Sequence, residues 1–175
     1  MKRTLLAGLA VACLAIVAAS PGSAQGLRWG VSVGALMPMG DYNTLDKPGW
    51  VVGAGVTNWL SGGTLGIRGD VSYSTTKRDG GGGDTKIIGG MASLVYGLGP
   101  SSASARPFVT GGVGLYNVDF GTVSASKVAF GLGAGLMFKM GTGGMRLVVA
   151  TRYTSVALDP SLNFLPITVG LTFGK

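Results

Sequence analysis

The residues of this 175-residue chain that could do chemistry are the charged side chains inside its alternating segments. Six of them share a face with glycine, serine and threonine: Arg28, Arg68, Asp70, Lys139, Arg146 and Arg152. Asp70 is the only acid of the six, so we predict a charge network in which Arg68, Arg146 and Arg152 pair with it. The chain has no histidine, and without a suitable base a hydroxyl nucleophile is poorly activated. We therefore expect no catalytic residue.

The remaining composition offers little for metal or nucleic-acid binding. There is one cysteine, and all seven acids are scattered aspartates, so we expect no metal site and no cofactor. The net charge of +7 could indicate nucleic-acid binding. The basic residues are scattered, however, and beyond the N-terminal segment only Lys77 and Arg78 are adjacent. We expect no nucleic-acid partner.

Period-two alternation shows which elements position these side chains. In the last segment, Ile167, Val169, Leu171 and Phe173 alternate with threonine and glycine, as in a strand with one apolar face. In the fifth segment the phase is ambiguous, because Phe108 and Tyr116 lie opposite the aliphatic residues. The same pattern predicts eight strands, at Leu27–Met37, Gly49–Leu60, Thr64–Thr76, Lys86–Leu98, Phe108–Phe120, Lys127–Met140, Met145–Ala157 and Leu165–Lys175.

The apolar face could meet a protein core or lipid. Charged residues make up only 12%, against about 25% in ordinary soluble domains, and no internal run reaches the ~18 apolar residues of a membrane helix. An outward Arg or Lys at the bilayer midplane would cost about 2–4 kcal/mol, so the charged face should point inward. We predict an all-β fold, an eight-stranded antiparallel up-and-down transmembrane β-barrel. A soluble sandwich with the aromatic residues in its core is the alternative. Aromatic girdles are expected from Trp29, Trp50, Tyr73, Tyr96, Phe138, Tyr153 and Phe173.

The N-terminus has the three parts of a secretory signal peptide. A basic start is followed by the apolar run Leu5–Ala19 and by the small residues that end at Ala24. We predict cleavage after Ala24, which divides the chain into a signal peptide, 1–24, and a barrel domain, 25–175. An anchoring helix and a lipoprotein acylated at Cys13 are weaker alternatives.

With these features the chain resembles the small eight-stranded outer-membrane β-barrel family of Gram-negative-type bacteria, the OmpA/OmpX-like group. The resemblance covers 27–175 and includes the run Pro38–Tyr42 that opens the first loop. It implies an outer-membrane location, contact with lipid and lipopolysaccharide, and insertion by the barrel-assembly machinery. Thr168, Gly170 and Phe173 in the closing strand resemble the assembly signal of the family. A monomer is the simplest expectation.

The resemblance leaves two functions open. Barrel enzymes of this kind rely on a histidine, which this chain lacks. The first function is a structural or surface-interaction role, with the exposed loops Pro38–Pro48, Lys77–Thr85, Gly121–Ser126 and Asp159–Asn163 as contact sites and a lumen largely filled by side chains. The second is a small pore or ligand-carrying barrel of weak conductance, because the many glycines could leave spare volume in the lumen.

Overall fold

A computed structural model describes residues 26–60, 62–79, 83–121, 123–141 and 143–174. One short helix, α1 (Tyr42–Leu45), lies in the first loop. The strands are β1 (Leu27–Met39), β2 (Gly49–Trp59), β3 (Leu65–Lys77), β4 (Asp84–Gly97), β5 (Ala105–Asp119), β6 (Ser124–Met140), β7 (Met145–Val156) and β8 (Leu162–Phe173). The predicted signal peptide, 1–24, including Cys13, lies outside the described residues and stays a prediction. Within the described ranges, no helix has the length and apolar character of a membrane span.

The strands form one closed antiparallel barrel in sequence order. Closure is made by β1, which pairs with β2 on one side and with β8 on the other. Trp29, for example, stands opposite Val56 of β2 and Phe173 of β8. Every strand therefore has two neighbours, and the barrel leaves no strand edge without a partner. The predicted fold is confirmed.

The apolar side chains of the strands point outward. Leu132 in β6 is 72% exposed, and Val33 in β1 and Leu94 in β4 are also largely exposed. A face this apolar could not remain in water, whereas it matches the lipid-facing band of a membrane barrel. The predicted orientation of the two faces is therefore confirmed.

The ambiguous phase of β5 is resolved by the structure. Phe108 and Tyr116 point inward and are buried, whereas Val109 and Val113 point outward and are exposed. The strand begins at Ala105, three residues before the predicted start, and so includes the buried Arg106 on the same face as the two aromatic rings. The charged residue thus marks the inward face here as it does in the other strands.

The barrel has two different ends. The loop end carries the connections after β1, β3, β5 and β7, and the turn end carries the other connections and both ends of the barrel chain. The predicted loop Gly121–Ser126 is shorter than expected, because β6 begins at Ser124, and the predicted loop Asp159–Asn163 loses its last two residues to β8. The first loop, predicted as irregular, contains α1.

Candidate functional site

An ion pair crosses the middle of the lumen. Asp70 belongs to β3 and Arg152 to β7, which are four strands apart in the ring of eight and therefore face each other. The Arg152 guanidinium donates from Nη1 to Asp70 Oδ1 at 3.0 Å and from Nη2 to Oδ2 at 2.9 Å. This two-point geometry is the strong form of an Arg–carboxylate contact. The pair is a cross-bar that joins opposite walls of the barrel.

Arg68 completes the central layer. Its Nε lies 3.3 Å from Asp70 Oδ1, two residues along the same face of β3. The side chains of Asp70, Arg152 and Arg68 are 7%, 18% and 30% exposed, so the carboxylate is the most deeply buried. A cavity of ≈ 70 Å³ adjoins the layer, and the buried Tyr116 also lines it. One carboxylate thus holds two cations beside a small cavity.

Arg146 does not join this network, contrary to the prediction. Its Nη2 donates to the backbone oxygen of Ser101, at 2.7 Å, in the connection between β4 and β5. Arg146 and Arg152 are six residues apart on one strand, which is about 20 Å at the rise of an extended chain. The alternation correctly predicted that Arg146 lies on the inward face. Its position along β7, however, places it at the turn end rather than at the level of Asp70.

The lumen above the central layer, toward the loop end, is filled by an apolar cluster. Buried side chains from seven strands meet there: Leu36, Val51, Ile87, Met91, Tyr116, Val118, Ala129, Val156, Leu162 and Phe164. Tyr42 of α1 belongs to the same cluster and is itself buried. The first loop therefore folds into the mouth of the barrel and closes it with an aromatic ring.

A hydrogen-bonded latch holds Tyr42 in place. Its hydroxyl lies 2.6 Å from Thr76 Oγ1, which donates to Asp46 Oδ2 at 2.5 Å. Burial, the largest influence on this phenol, raises the pKa of Tyr42 well above its usual value. The latch thus joins the first loop to the end of β3 and keeps the phenol protonated.

Backbone and ionic contacts extend the latch to the second loop. The amide of Asp79 donates to Leu45 O at 2.8 Å, and Lys47 Nζ lies 3.0 Å from Asp79 Oδ1. Arg78 lies over the ring of Phe120, with its Cζ 5.7 Å from the centroid, which brings in the connection after β5. Three of the four loop-end connections are therefore tied to one another.

Below the central layer, toward the turn end, a second apolar cluster narrows the lumen. It consists of Val95, Phe108, Met137 and Val148, with Trp59 and Ala150 packed against it. The lumen thus has three filled levels: the loop-end cluster, the central ion pair and the turn-end cluster.

The three residues of the predicted assembly signal lie where β8 closes onto its neighbours. The Phe173 ring stacks on Trp29 of β1, with 4.7 Å between centroids. Gly170 stands opposite Ser32, and Thr168 Oγ1 donates to Ala150 O of β7 at 3.3 Å. These contacts fit a strand that completes the ring, and the role of the three residues in recognition stays a prediction.

Large inward side chains that the sequence prediction did not include are accommodated by glycines. A Cβ at Gly89 would collide with the Tyr116 ring, and one at Gly135 would lie 2.7 Å from the Phe108 ring. At Gly131 a Cβ would lie 2.9 Å from Met91 Sδ. For Tyr116 and Phe108, the signal that could have found them is a glycine placed directly opposite on the neighbouring strand.

The closed ring, the outward apolar band and the charged interior define an integral membrane β-barrel of eight strands. Aromatic pairs flank the band at both ends, with Trp29 on Phe173 at the turn end and Trp50 5.5 Å from Tyr73 at the loop end. Such girdles are typical of outer-membrane barrels. Together these features place the protein in the class of outer-membrane β-barrels.

The chain belongs to the outer membrane protein beta-barrel domain family, whose model matches residues 7–173, and this membership indicates an outer-membrane location. Its fold is similar to that of Neisserial surface protein A, with a TM-score of 0.64 at 15% identity over 87% of this chain and 98% of that one. The Yersinia pestis attachment invasion locus protein Ail is also similar, with a TM-score of 0.52 at 21% identity over 85% and 99%. Among curated protein sequences none matches the chain.

The fold by itself is compatible with enzymes and non-enzymes. The outer membrane enzyme PagL is similar to this chain, with a TM-score of 0.53 at 18% identity over 85% of this chain and 99% of that one. At such identities the likeness extends to the fold alone, so function has to be argued from side chains.

Proposed function

We propose that this protein is a non-enzymatic outer-membrane barrel with a structural or surface-interaction role, and that its lumen does not conduct. The observation that carries the proposal is the Asp70–Arg152 ion pair across the centre of the barrel. Apolar clusters above and below it fill the space that a water column would need. An ion entering the lumen would have to break a two-point charged contact and displace packed side chains.

The absence of histidine supports the non-enzymatic part of the proposal. The carboxylate deepest in the lumen, Asp70, is already paired with two arginines. Incubation of the refolded protein with lipopolysaccharide and phospholipid vesicles should leave the mass spectra of both lipids unchanged. Release of an acyl chain or a headgroup would contradict the proposal.

The loop end is the surface that we assign to interaction. Short turns on the periplasmic side and longer loops outside are the usual arrangement, so the tied loops would face the medium. Lys77 and Lys86 are exposed on the outward faces of neighbouring strands at this end. Cations at that height could meet the phosphates of lipopolysaccharide, which we propose as the lipid partner.

We propose that the barrel-assembly machinery acts at the closing strand, β8, during insertion, and that the inserted protein is a monomer.

Single-channel recording in planar bilayers tests the closed lumen. The wild-type protein, whose insertion is checked by protease protection, should give no steady conductance above the bare bilayer. Steady openings would favour the alternative, a small pore or ligand-carrying barrel of weak conductance. The cavity of ≈ 70 Å³ beside the ion pair is the observation that keeps this second function in consideration.

Refolding into lipopolysaccharide-containing liposomes tests the lipid partner. The double variant Lys77→Gln/Lys86→Gln should lose the stabilisation that lipopolysaccharide gives the wild-type barrel relative to neutral lipid. Lys127→Gln is a matched control, because Lys127 is also exposed at the loop end but shares the parity of the inward face of β6. Equal effects in the double variant and the control would contradict a site on the outward face.

A further inference from the structure

Cationic side chains gather at the turn end without an acidic counterpart. Arg28, Arg106, Lys139 and Arg146 come from four different strands and share the inward parity of those strands. Of the seven aspartates in the sequence, one is Asp70 in the central layer. The other six belong to the loop end: Asp41, Asp46, Asp79, Asp84, Asp119 and Asp159. Among the residues that the structure describes, no carboxylate side chain neutralises the turn-end cations.

Two of the arginines extend across the turn-end opening to backbone carbonyls. Arg28 Nη1 donates to Gly144 O at 2.7 Å, in the connection between β6 and β7. Arg146 Nη2 donates to Ser101 O at 2.7 Å, in the connection between β4 and β5. Each contact fixes the direction of the guanidinium but does not neutralise its charge. The opening is therefore bordered by oriented positive groups.

The third arginine is held deeper in the same opening. Arg106 is only 3% exposed, and its Nη2 donates to Gly97 O at 3.2 Å. Its Cζ lies 5.0 Å from the centre of the Trp59 ring, in a cation–π contact. A Cβ at Gly97 would collide with the guanidinium, so the neighbouring strand leaves room for it. Arg106 is positioned by its surroundings rather than free in solvent.

Several buried donors at this end have no hydrogen-bond partner among the described residues. They are Arg106 Nε, Arg146 Nη1 and the hydroxyl of Thr172. A cavity of ≈ 40 Å³ is lined by Thr172, Arg28 and Arg68 among other residues, whereas Arg106 and Arg146 do not line it. On this scale one water needs roughly 10–15 Å³, so the cavity has room for a group about the size of a phosphate. Among the described residues, one unpaired donor, Thr172, and one arginine without a carboxylate partner, Arg28, therefore line the same cavity.

We propose that the turn end of the barrel is a binding site for a phosphate-bearing anion. Guanidinium groups bind phosphate through paired N–H donors in a fixed plane, and three of them lie at this end of the barrel. A phosphate would accept hydrogen bonds from the unpaired donors and would offset the repulsion among the arginines. The site is separate from the loop end and does not depend on the function proposed above.

The phosphate could come from a soluble anion or from the headgroup of an anionic phospholipid, and two experimental arms distinguish these sources. In the first, the protein is refolded in a non-ionic, phosphate-free detergent and titrated with inorganic phosphate at constant ionic strength, with binding followed by calorimetry. In the second, its thermal unfolding is compared in phosphatidylglycerol and phosphatidylcholine nanodiscs. Binding in the first arm indicates a soluble anion; stabilisation by phosphatidylglycerol alone indicates a lipid headgroup.

The variants Arg28→Gln and Arg146→Gln test the assignment in either arm. Each should weaken phosphate binding at least tenfold, or remove the difference between the two lipids. Arg146→Lys, which keeps the charge without the planar donor pair, should weaken it less. Lys127→Gln removes one charge at the opposite end and should change neither readout. The proposal is overturned if neither arm detects binding, or if Lys127→Gln has the same effect as Arg146→Gln. Mobility before and after boiling checks that each variant is folded.

Discussion

Replacing Asp70 by Asn tests the cross-bar directly, because the change keeps the shape of the side chain and removes its charge. Arg152 and Arg68 would then be left in the lumen without a carboxylate. Removing one partner of a buried ion pair costs about 3–5 kcal/mol. Arg152 is 18% and Arg68 30% exposed, and a cavity adjoins them, so water can relieve part of that cost. We expect the free energy of unfolding to fall by about 3 kcal/mol, near the lower end of the range.

Arg152→Met separates the two contacts of the carboxylate. Asp70 would keep Arg68 at 3.3 Å, so this variant should cost less, about 1–2 kcal/mol. In the double variant with Asp70→Asn the losses should fall short of their sum by at least about 1 kcal/mol, as expected for groups in contact. Asp84→Asn is the matched control, since Asp84 is exposed at the loop end, and should stay within about 0.5 kcal/mol of wild type.

Urea unfolding of the liposome-inserted protein, followed by tryptophan fluorescence and extrapolated linearly, gives these free energies. Gel mobility before boiling reports independently whether the barrel is closed. The reasoning is refuted if Asp70→Asn is as stable as Asp84→Asn, or if the effects of Asp70→Asn and Arg152→Met simply add. Either result would mean that the two charges do not sense each other across the lumen.

Three further predictions use the same unfolding assay. Gly89→Ala places a methyl group against the buried Tyr116 ring and should lower the free energy of unfolding by about 1–3 kcal/mol. Gly143→Ala, with open space around its Cβ, should leave it unchanged. Equal effects of the two variants would contradict the packing argument. Leu132→Arg puts a charge on the lipid face and should lower the free energy of unfolding in bilayers by about 2–4 kcal/mol. Val123→Arg, in a loop, should have no such effect. A larger loss for Val123→Arg than for Leu132→Arg would mean that this face does not meet lipid. Because the raised pKa of Tyr42 favours the protonated phenol in the folded loop, its contribution is complete below about pH 10, the unfolded value, and is lost as pH rises above it. The free energy of unfolding should therefore fall more for the wild type than for Tyr42→Phe between pH 8 and pH 11. Parallel pH profiles for the two proteins would contradict a buried phenol.

The fold could be predicted from the sequence because face and charge repeat every two residues along each strand. The first and last residues of the strands are predicted less accurately, since β5 and β6 begin three residues earlier than the alternation indicated. Alternation says which side of the sheet a residue is on, but not how high it lies in the barrel. Asp70, Arg68 and Arg152 share a level and meet, whereas Arg146 shares only the side. Whether two side chains on opposite walls of a barrel can meet depends on the register of all the strands between them. No local pattern in the sequence contains that register.

The glycines give the clearest example of a sequence feature whose meaning depends on the partner strand. Taken alone, many glycines on the inward face suggest spare volume and hence a small pore. In the folded barrel, the space beside Gly89 is taken by Tyr116, and the space beside Gly97 is taken by the guanidinium of Arg106. A glycine on this face removes a Cβ so that a larger neighbour can lie flat against the wall. Counting glycines therefore overestimates the open lumen, because at positions such as Gly89, Gly97 and Gly135 the missing side chain is matched by a large one from the adjacent strand. The same pairing lets the eight strands enclose arginines, a carboxylate and several aromatic rings in one lumen.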